Sequence, residues 1–132
     1  ALADHMRTEL VTDALEMAFT TRKPPPGAIF HSDRGCQYAS AAYRSALTDS
    51  GCIASMSRRG NCYDNATMES FWATLKTECF NNIIPETRSA ARSMIFDYIE
   101  TFYNPKRRHS SLGYISPVAF EKQTAKKHIK AA

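Results

Sequence analysis

Two acidic residues of the sequence lie where a metal-binding carboxylate would be expected. Asp33 follows the short apolar run 28–30, which predicts a strand, and open α/β sheets present their ligands at strand ends. Glu69 lies in the first turns of a helix predicted from Ala66. Two carboxylates brought together can hold hard divalent cations such as Mg²⁺, and a pair of such ions can assist phosphoryl transfer. Taken singly, either acid is better explained as a surface residue or a helix cap.

Lys76 follows Glu69 by seven positions. Seven residues make about two turns of α-helix, so both side chains would project from one face. An ammonium group there could hold a DNA phosphate while the carboxylate holds metal. The spacing from Glu69 is equally consistent with an ordinary exposed lysine.

The rest of the chain predicts alternating helices and strands that would position these side chains. They are a helix over 7–19, a buried strand over 28–31, a helix between Ser40 and Gly51, a strand over 52–57, helices over 66–80 and 87–103, and a short helix from Ser116. This order predicts an α/β layered domain with partly parallel strands. Because two strands make a poor sheet, we expect further strands upstream of residue 1.

The charge is unevenly distributed. The chain carries 17 Lys and Arg residues against 13 Asp and Glu residues. Residues 103–132 hold seven of the basic residues and one acid, whereas residues 1–102 hold ten basic and twelve acidic residues. A basic end on a mildly acidic body is typical of proteins that bind polyanions, although a solvated tail would have the same composition.

The sequence disfavours a membrane protein and a secreted protein. No apolar run approaches the roughly 18 residues of a membrane helix, and the N-terminus ALADHMRTEL lacks the layout of a signal peptide. The four cysteines form no CxxC pair and no Cys–His spacing typical of zinc sites. We therefore expect reduced thiols that pack in the core, and no membrane partner.

Three blocks of the sequence resemble, in the same order, the catalytic subunit of insertion-sequence transposases of the IS-three type: HSDRGCQYAS, SRRGNCYDNATMESFWATLKTE and YIETFYNPKRRHSSLGYISPVAFE. That family is related to retroviral integrases and has a ribonuclease-H-like core with a DDE carboxylate triad. Thirty-five residues separate Asp33 from Glu69, which is the spacing of the family's D,D(35)E signature. The lysine seven positions after the glutamate also matches.

The resemblance implies a role for each matching residue. Asp33 would be the second triad carboxylate and Glu69 the third, and both would bind Mg²⁺ or Mn²⁺, with two ions in the intact enzyme. Lys76 would contact the transposon end. Contacts to DNA are also expected from the basic side chains Arg34, Arg58, Arg59, Lys106, Arg107, Arg108 and His109.

Further residues of the three blocks would surround the metal site. The flanking loops would contain Gly35, Asn61, Tyr63, Asp64 and Asn65. We interpret Asp64 as a helix cap or loop organiser rather than a ligand. His31 precedes Asp33 by two positions and is interpreted as a histidine packed in the strand.

The sequence departs from the family pattern at one point. The first triad aspartate belongs on the first strand of that fold, upstream of every residue of this chain. We therefore predict an α/β, ribonuclease-H-like integrase core that is truncated at its N-terminus by three strands and extends over 1–103. A basic helical C-terminal segment over 104–132 would follow it.

The leading functional hypothesis is a fragment of a transposase that cuts and joins DNA by metal-dependent phosphoryl transfer. Alternatives are a catalytically inactive DNA-binding remnant and a ribonuclease-H-like nuclease. The segment NPKRRHSSLGYISP favours a transposase over a nuclease, and the missing first strand decides between enzyme and remnant. Because the first triad aspartate is missing, we expect the chain to be inactive alone.

Expected partners are transposon-end DNA, target DNA and a second copy of the chain. In the complete fold, the strand over 28–31 would pair with a strand that this chain lacks. Its unpaired apolar edge and the uncovered apolar faces of the flanking helices therefore predict a dimer that buries this edge or the helix faces beside it. The expected location is the bacterial cytoplasm, at the nucleoid.

Overall fold

The computed structural model describes residues 1–58 and 65–130 of the chain. Its main elements are α1 (Thr8–Arg22), β1 (Ile29–Ser32), α2 (Ala41–Asp49), β2 (Ile53–Met56), α3 (Ala66–Thr74), α4 (Arg88–Asp97) and α5 (Pro117–Lys130). This confirms the predicted order of elements. No helix of the described residues is long and apolar enough to cross a membrane.

The chain divides into two compact units, Ala1–Ala73 and Thr74–Ala132. The first unit contains both strands, and the second contains α4 and α5. The division predicted at residue 103 does not coincide with the boundary between these units and stays a prediction.

The two strands of the first unit run parallel, as predicted. Ile29 lies opposite Ile53, and Ser32 lies opposite Met56. A further backbone hydrogen bond follows the pair, since the N–H of Ser57 donates to the carbonyl oxygen of Ser32 at 2.9 Å. Parallel strands need a crossover connection, and α2 supplies it.

The core of the first unit lies between its helices and one face of the sheet. Leu15 of α1 packs with Tyr43 and Leu47 of α2, and all three are buried. Phe30 of β1 stacks on Phe19 of α1, with ring centroids 5.6 Å apart. The apolar side chains Leu15 and Phe19 of α1 therefore face the core beside the sheet.

The opposite face of the sheet is exposed, so the prediction of a buried strand was wrong. Exposed and half-buried residues alternate along β1, as in a strand that is packed on one side only. Ile29 is 70% exposed and its partner Ile53 is 56% exposed. Among the described residues, α1 and α2 cover only the side that carries Phe30.

Local signals set the ends of α2. The Ser40 side chain accepts a hydrogen bond from the Tyr43 N–H at 3.2 Å, so Ser40 is the N-cap of the helix predicted between Ser40 and Gly51. Gly51 has a φ of +70°, a conformation that strongly favours glycine. Its carbonyl oxygen accepts from the Gly27 N–H at 2.7 Å, so this turn leads directly into the strand pair.

Helices α3 and α4 both continue in an unexpected form. A π-helical segment over Leu75–Phe80 follows α3, and another over Tyr98–Tyr103 follows α4. The predicted helices over 66–80 and 87–103 are confirmed, and the π-helical form of their last turns was not predicted. Asn81 and Asn82 take positive φ values of 43° and 66°, and these left-handed residues end the first helix.

The start of α4 follows its local sequence. Thr87 accepts a hydrogen bond from the Ala90 N–H at 3.1 Å, which is the usual role of a threonine N-cap. Ser116 does the same for α5, since its hydroxyl accepts from the Ala119 N–H at 3.3 Å. Pro117 is the first residue of α5, where its missing N–H costs little. The predicted start of the last helix is confirmed.

Candidate active site and nucleic-acid interface

Asp33 is the first residue after β1, as the sequence predicts. Its side chain is exposed, and its Oδ1 accepts a hydrogen bond from the Gly35 N–H at 2.8 Å. A Cβ at Gly35 would lie 3.0 Å from that same oxygen. Any larger residue at this position would therefore crowd the carboxylate, so glycine allows the backbone to orient it.

The charge of Asp33 affects the neighbouring loop. The pKa of the Tyr38 hydroxyl is raised, first by burial and then by the Asp33 carboxylate. Tyr38 packs edge-on against Tyr43 of the core, with ring centroids 5.3 Å apart. The loop that carries Asp33 is thus anchored to the core through a neutral tyrosine.

Hydrogen bonds tie the ends of the two strands together beside Asp33. His31 contacts the hydroxyls of Ser55 and Ser57, at 2.9 Å from Nδ1 and 3.1 Å from Nε2. The Nε of Arg34 donates to the Ser57 carbonyl oxygen at 2.8 Å. These contacts fix the strand ends, and therefore the point at which Asp33 leaves the sheet.

The structure contradicts two predictions for this region. The interpretation of His31 as packed inside the strand was wrong, because the ring is exposed and hydrogen-bonded across the sheet surface. Cys36 is also exposed rather than packed in the core. Contacts of Arg34 and Arg58 with DNA stay predictions. Other predicted site residues lie outside the described residues: Arg59, Asn61, Tyr63 and Asp64.

Glu69 lies in the first turn of α3 and is exposed. An acid in this position is favoured by the partial positive charge of the helix N-terminus. That local effect is sufficient to explain Glu69 without a ligand, so its position alone does not define a metal site. Asp33 and Glu69 do belong to the same compact unit.

The donor chemistry of the two acids fits a hard divalent cation, since both present exposed carboxylate oxygens. No group of three or more His, Cys, Asp or Glu side chains suited to a metal ion occurs among the described residues. Within the described part of the chain, Asp33 and Glu69 are therefore not members of a group of three such side chains. Metal binding by Asp33 and Glu69 stays a prediction.

The predicted DNA-contacting residues of the second unit differ in their surroundings. Lys76, Lys106 and Arg108 are exposed. Arg107 is instead engaged by Glu78: its Nε donates to both carboxylate oxygens at 3.0 and 2.9 Å, and its Nη2 donates to Oε1 at 2.8 Å. The guanidinium carbon also lies 5.7 Å from the centroid of the Tyr103 ring.

Tyr98, Tyr103 and His109 surround the ion pair between Glu78 and Arg107. The Tyr98 hydroxyl donates to Glu78 at 2.7 Å. His109 packs edge-on against Tyr103, with ring centroids 5.0 Å apart, and its buried Nε2 has no hydrogen-bond partner within the described structure. We call Glu78, Tyr98, Tyr103, Arg107 and His109 the clamp.

The clamp shifts the protonation equilibria of its members. Hydrogen bonds from Arg107 are the largest cause of the lowered pKa of Glu78. The same hydrogen bonds raise the pKa of Arg107. Burial, and then the charge of Arg107, lower the pKa of His109, whereas burial and Glu78 raise that of Tyr98. Near neutral pH the ion pair is therefore fully charged and His109 is neutral.

Sequence reasoning missed Glu78 and Tyr98. An acid and a tyrosine 20 positions apart carry no spacing signal, and α-helical periodicity does not apply within the π-helical segments. A contact with DNA through the charge of His109 would need the ring to be protonated, which the clamp disfavours. The DNA contacts predicted for Lys76, Lys106, Arg107, Arg108 and His109 stay predictions.

Comparison with known proteins defines the class. The Integrase core domain family matches the chain over residues 50–117 and, through a second description of the same name, over residues 1–62. The chain therefore belongs to the integrase core domain family, which confirms the resemblance found in the sequence. Together with the parallel strands and flanking helices, this also confirms the α/β, ribonuclease-H-like fold class.

The chain is similar to several proteins of bacterial insertion elements. It is 52% identical to the insertion element IS600 uncharacterized 31 kDa protein of Shigella sonnei, over 93% of this chain and 45% of that protein. It is 50% identical to the transposase for insertion sequence element IS904 of Lactococcus lactis, over 92% of this chain and 48% of that protein. The chain thus spans somewhat less than half the length of these relatives.

A solved structure shares the fold. It is a cryo-electron microscopy structure of the simian T-cell lymphotropic virus intasome in complex with the PP2A regulatory subunit B56 gamma. The match has a TM-score of 0.59 at 18% identity and covers 72% of this chain and 35% of that chain. At this level of identity the likeness concerns the fold alone.

We expect the chain to lose stability as the pH falls from about 7 to about 4. His109 has a folded-state pKa below its ordinary 6.5, so it stabilises the fold above that pH and ceases to do so as the pH falls through the folded-state pKa. Glu78 behaves in the same way around and below its ordinary 4.5. Urea denaturation followed by circular dichroism at several pH values measures the change.

The matched variants for this prediction are Glu78→Gln and Glu100→Gln. Glu100 is an exposed acid of the π-helical segment Tyr98–Tyr103. Glu78→Gln should remove the part of the pH dependence below about pH 4.5, and Glu100→Gln should retain it. Equal dependence in both variants would contradict the role of the clamp.

Proposed function

We propose that this chain is part of the catalytic core of a DNA transposase that performs 3′-end cleavage and strand transfer. Its main support is the position of two carboxylates in a member of the integrase core domain family. Asp33 directly follows β1, and Glu69 lies in the first turn of α3 with 35 residues between them. Named transposases of insertion sequences are 45–50% identical to this chain.

The proposed mechanism assigns each residue a limited role. The Gly35 N–H holds the Asp33 carboxylate at the end of β1, and Glu69 supplies a second carboxylate from α3. Asp33 and Glu69 would hold Mg²⁺ or Mn²⁺, and two such ions supply activation of the attacking oxygen and stabilisation of the leaving oxygen. Both steps are in-line phosphoryl transfers: water attacks first, and the freed 3′-hydroxyl then attacks target DNA.

The remaining carboxylate of the triad, its first aspartate, is proposed to come from a part of the polypeptide outside this chain. No group of three or more possible metal ligands occurs among the described residues, and two carboxylates hold a metal pair poorly. We therefore propose that the isolated chain has little or no strand-transfer activity.

The carboxylates can be tested in a transposase polypeptide that contains this chain. Asp33→Asn and Glu69→Gln should each reduce strand transfer by at least about a hundredfold, because each removes a group that stabilises charge in the transition state. DNA binding should persist. Joining of labelled transposon ends to plasmid DNA in Mg²⁺ or Mn²⁺ measures the effect.

Glu16→Gln is the matched control for these substitutions. Glu16 is an exposed acid of α1, and its replacement should leave strand transfer within about twofold of the unmodified protein. Retained activity in Glu69→Gln would refute the catalytic assignment. Efficient joining by the isolated chain would refute the proposed need for a carboxylate from outside it.

We propose that DNA is bound through the basic residues of the second unit, with little sequence preference. Residues 103–132 have a net charge of +6, and Lys106 and Arg108 are exposed. Lys76 is proposed to contact the transposon end. In a bacterial cell, the DNA partner would place the protein at the nucleoid in the cytoplasm.

The contribution of the basic loop Lys106–Arg108 to DNA binding can be tested through its salt dependence. The double substitution Lys106→Ala with Arg108→Ala should lower the slope of log affinity against log salt by about 2, because each phosphate contact contributes about 0.9. Fluorescence anisotropy with a labelled DNA duplex measures this slope. The control is Arg92→Ala, which removes an exposed cation of α4 and should change the slope little. An unchanged slope in the double variant would mean that Lys106 and Arg108 are solvated and do not contact DNA.

We also propose that the isolated chain forms a dimer through the exposed side of its sheet. Ile29 and Ile53 are neighbours across the strands and both are largely exposed, which is unusual for a sheet in water. Light scattering should therefore report a dimer, and Ile53→Lys should shift it toward monomer. Met17→Lys, on the exposed side of α1, should leave the dimer intact; a monomeric unmodified chain would contradict the proposal.

A further inference from the structure

The clamp connects two segments that both carry cations proposed to meet DNA. Glu78 belongs to the π-helical segment Leu75–Phe80, which also carries the exposed Lys76. Arg107 lies between Lys106 and Arg108, both exposed. The ion pair between Glu78 and Arg107 spans 29 positions of the sequence, so it links these two groups directly.

The loop that carries Arg107 is braced by its own backbone. The N–H groups of Lys106 and Arg107 both donate to the Phe102 carbonyl oxygen at 2.9 Å. Further along, the His109 N–H donates to the Ile115 carbonyl oxygen at 3.1 Å. These hydrogen bonds restrict the backbone on both sides of Arg107, so the position of the Arg107 side chain also constrains its two neighbours, Lys106 and Arg108.

The geometry of the ion pair fixes the orientation of the Arg107 side chain. Two nitrogens of a planar guanidinium meet the carboxylate of Glu78, and this bidentate arrangement fixes direction as well as distance. The Tyr98 hydroxyl donates to the second oxygen of the same carboxylate. Tyr103 lies beneath the guanidinium, which favours one orientation of Arg107.

We propose that Glu78 is a positioning residue for DNA: through Arg107 it holds Lys76, Lys106 and Arg108 as one phosphate-binding surface of fixed spacing. This inference rests on the proposed DNA-binding function. It assigns Arg107 to the support of that surface, in place of a direct phosphate contact. The partner of this surface is the sugar-phosphate backbone of DNA, because the surface recognises only the spacing of the negatively charged phosphates.

Electrostatics alone predicts the opposite effect of removing Glu78 on the affinity for DNA. An acidic side chain among cations weakens the attraction for a polyanion, so its removal should strengthen binding. A positioning role requires that its removal weaken binding, because ordering the freed loop then counts against association. Because the pKa of Glu78 is lowered, its carboxylate is charged at neutral pH and the ion pair with Arg107 persists there. The two possibilities therefore differ in the sign of the effect.

The test compares Glu78→Gln with Glu100→Gln in the full chain, using a short fluorescein-labelled DNA duplex. Both variants lose one negative charge, but Glu100 is an exposed acid outside the clamp. Glu78→Gln should bind about three- to tenfold more weakly than the unmodified chain, which corresponds to one or two side chains that must be ordered again. Glu100→Gln should bind equally or slightly more tightly.

The salt dependence provides a second readout that a change in net charge would not move in this direction. With misplaced cations, the slope of log affinity against log salt should fall by about 1 in Glu78→Gln, although the chain has become more positive. Tighter binding by Glu78→Gln, to the same extent as by Glu100→Gln, would overturn the proposal and leave Arg107 as a direct phosphate contact.

The paired exchange Glu78→Arg with Arg107→Glu separates positioning from loss of structure. It keeps the net charge and can form the ion pair in reverse, so it should restore most of the affinity that Glu78→Gln loses. Circular dichroism of each variant checks that it is folded. If the exchange is folded but binds as weakly as Glu78→Gln, the proposal fails.

The failure of this inference is distinguishable from failure of the proposed function. If the unmodified chain shows no salt-dependent binding to the duplex, the DNA-binding function itself is wrong. If the unmodified chain binds and Glu78→Gln binds no more weakly, only the positioning role is wrong.

Discussion

The parallel pairing of β1 with β2 is the constraint on which the first unit depends. Parallel strands end at the same edge of a sheet, so the pairing brings Asp33 and Ser57, which follow β1 and β2, to one edge. Hydrogen bonds from His31 and Arg34 to Ser57 then hold the two strand ends together. Because the crossover is only α2 and two turns, the position of Asp33 follows from a short and local part of the chain.

Much of this arrangement could be predicted from the sequence, because it rests on local chemistry. Ser40, Gly51 and Thr87 cap or end helices through contacts within a few residues, and such contacts are visible in a sequence. The exposure of Ile29 could not be predicted in this way, since an apolar strand residue indicates burial only if something covers it. Among the described residues, nothing covers that face.

The candidate site was predictable to a lesser extent. The predicted positions of Asp33 after a strand and of Glu69 in the first turn of a helix are confirmed, because each depends on the end or start of one element. Their role in metal binding stays a prediction. The clamp was not predictable, since Glu78 and Arg107 meet only after two helices end in π-helical segments. A π-helical turn needs no characteristic residue, and π-helical turns are frequent at functional sites. The position of the pair thus depends on backbone geometry that the side-chain pattern does not encode.

The value of the ion pair lies in geometry more than in stability. Exposed salt bridges typically contribute about 0–1 kcal/mol, and only a bidentate pair in a network reaches the upper part of this range. Glu78 and Arg107 are 35% and 24% exposed, so solvent screens their attraction. A contact of this kind can still select one arrangement of a loop from several of similar energy. For a surface that meets a regular array of phosphates, that selection matters more than one additional positive charge, since a cation at the wrong spacing adds attraction without a contact.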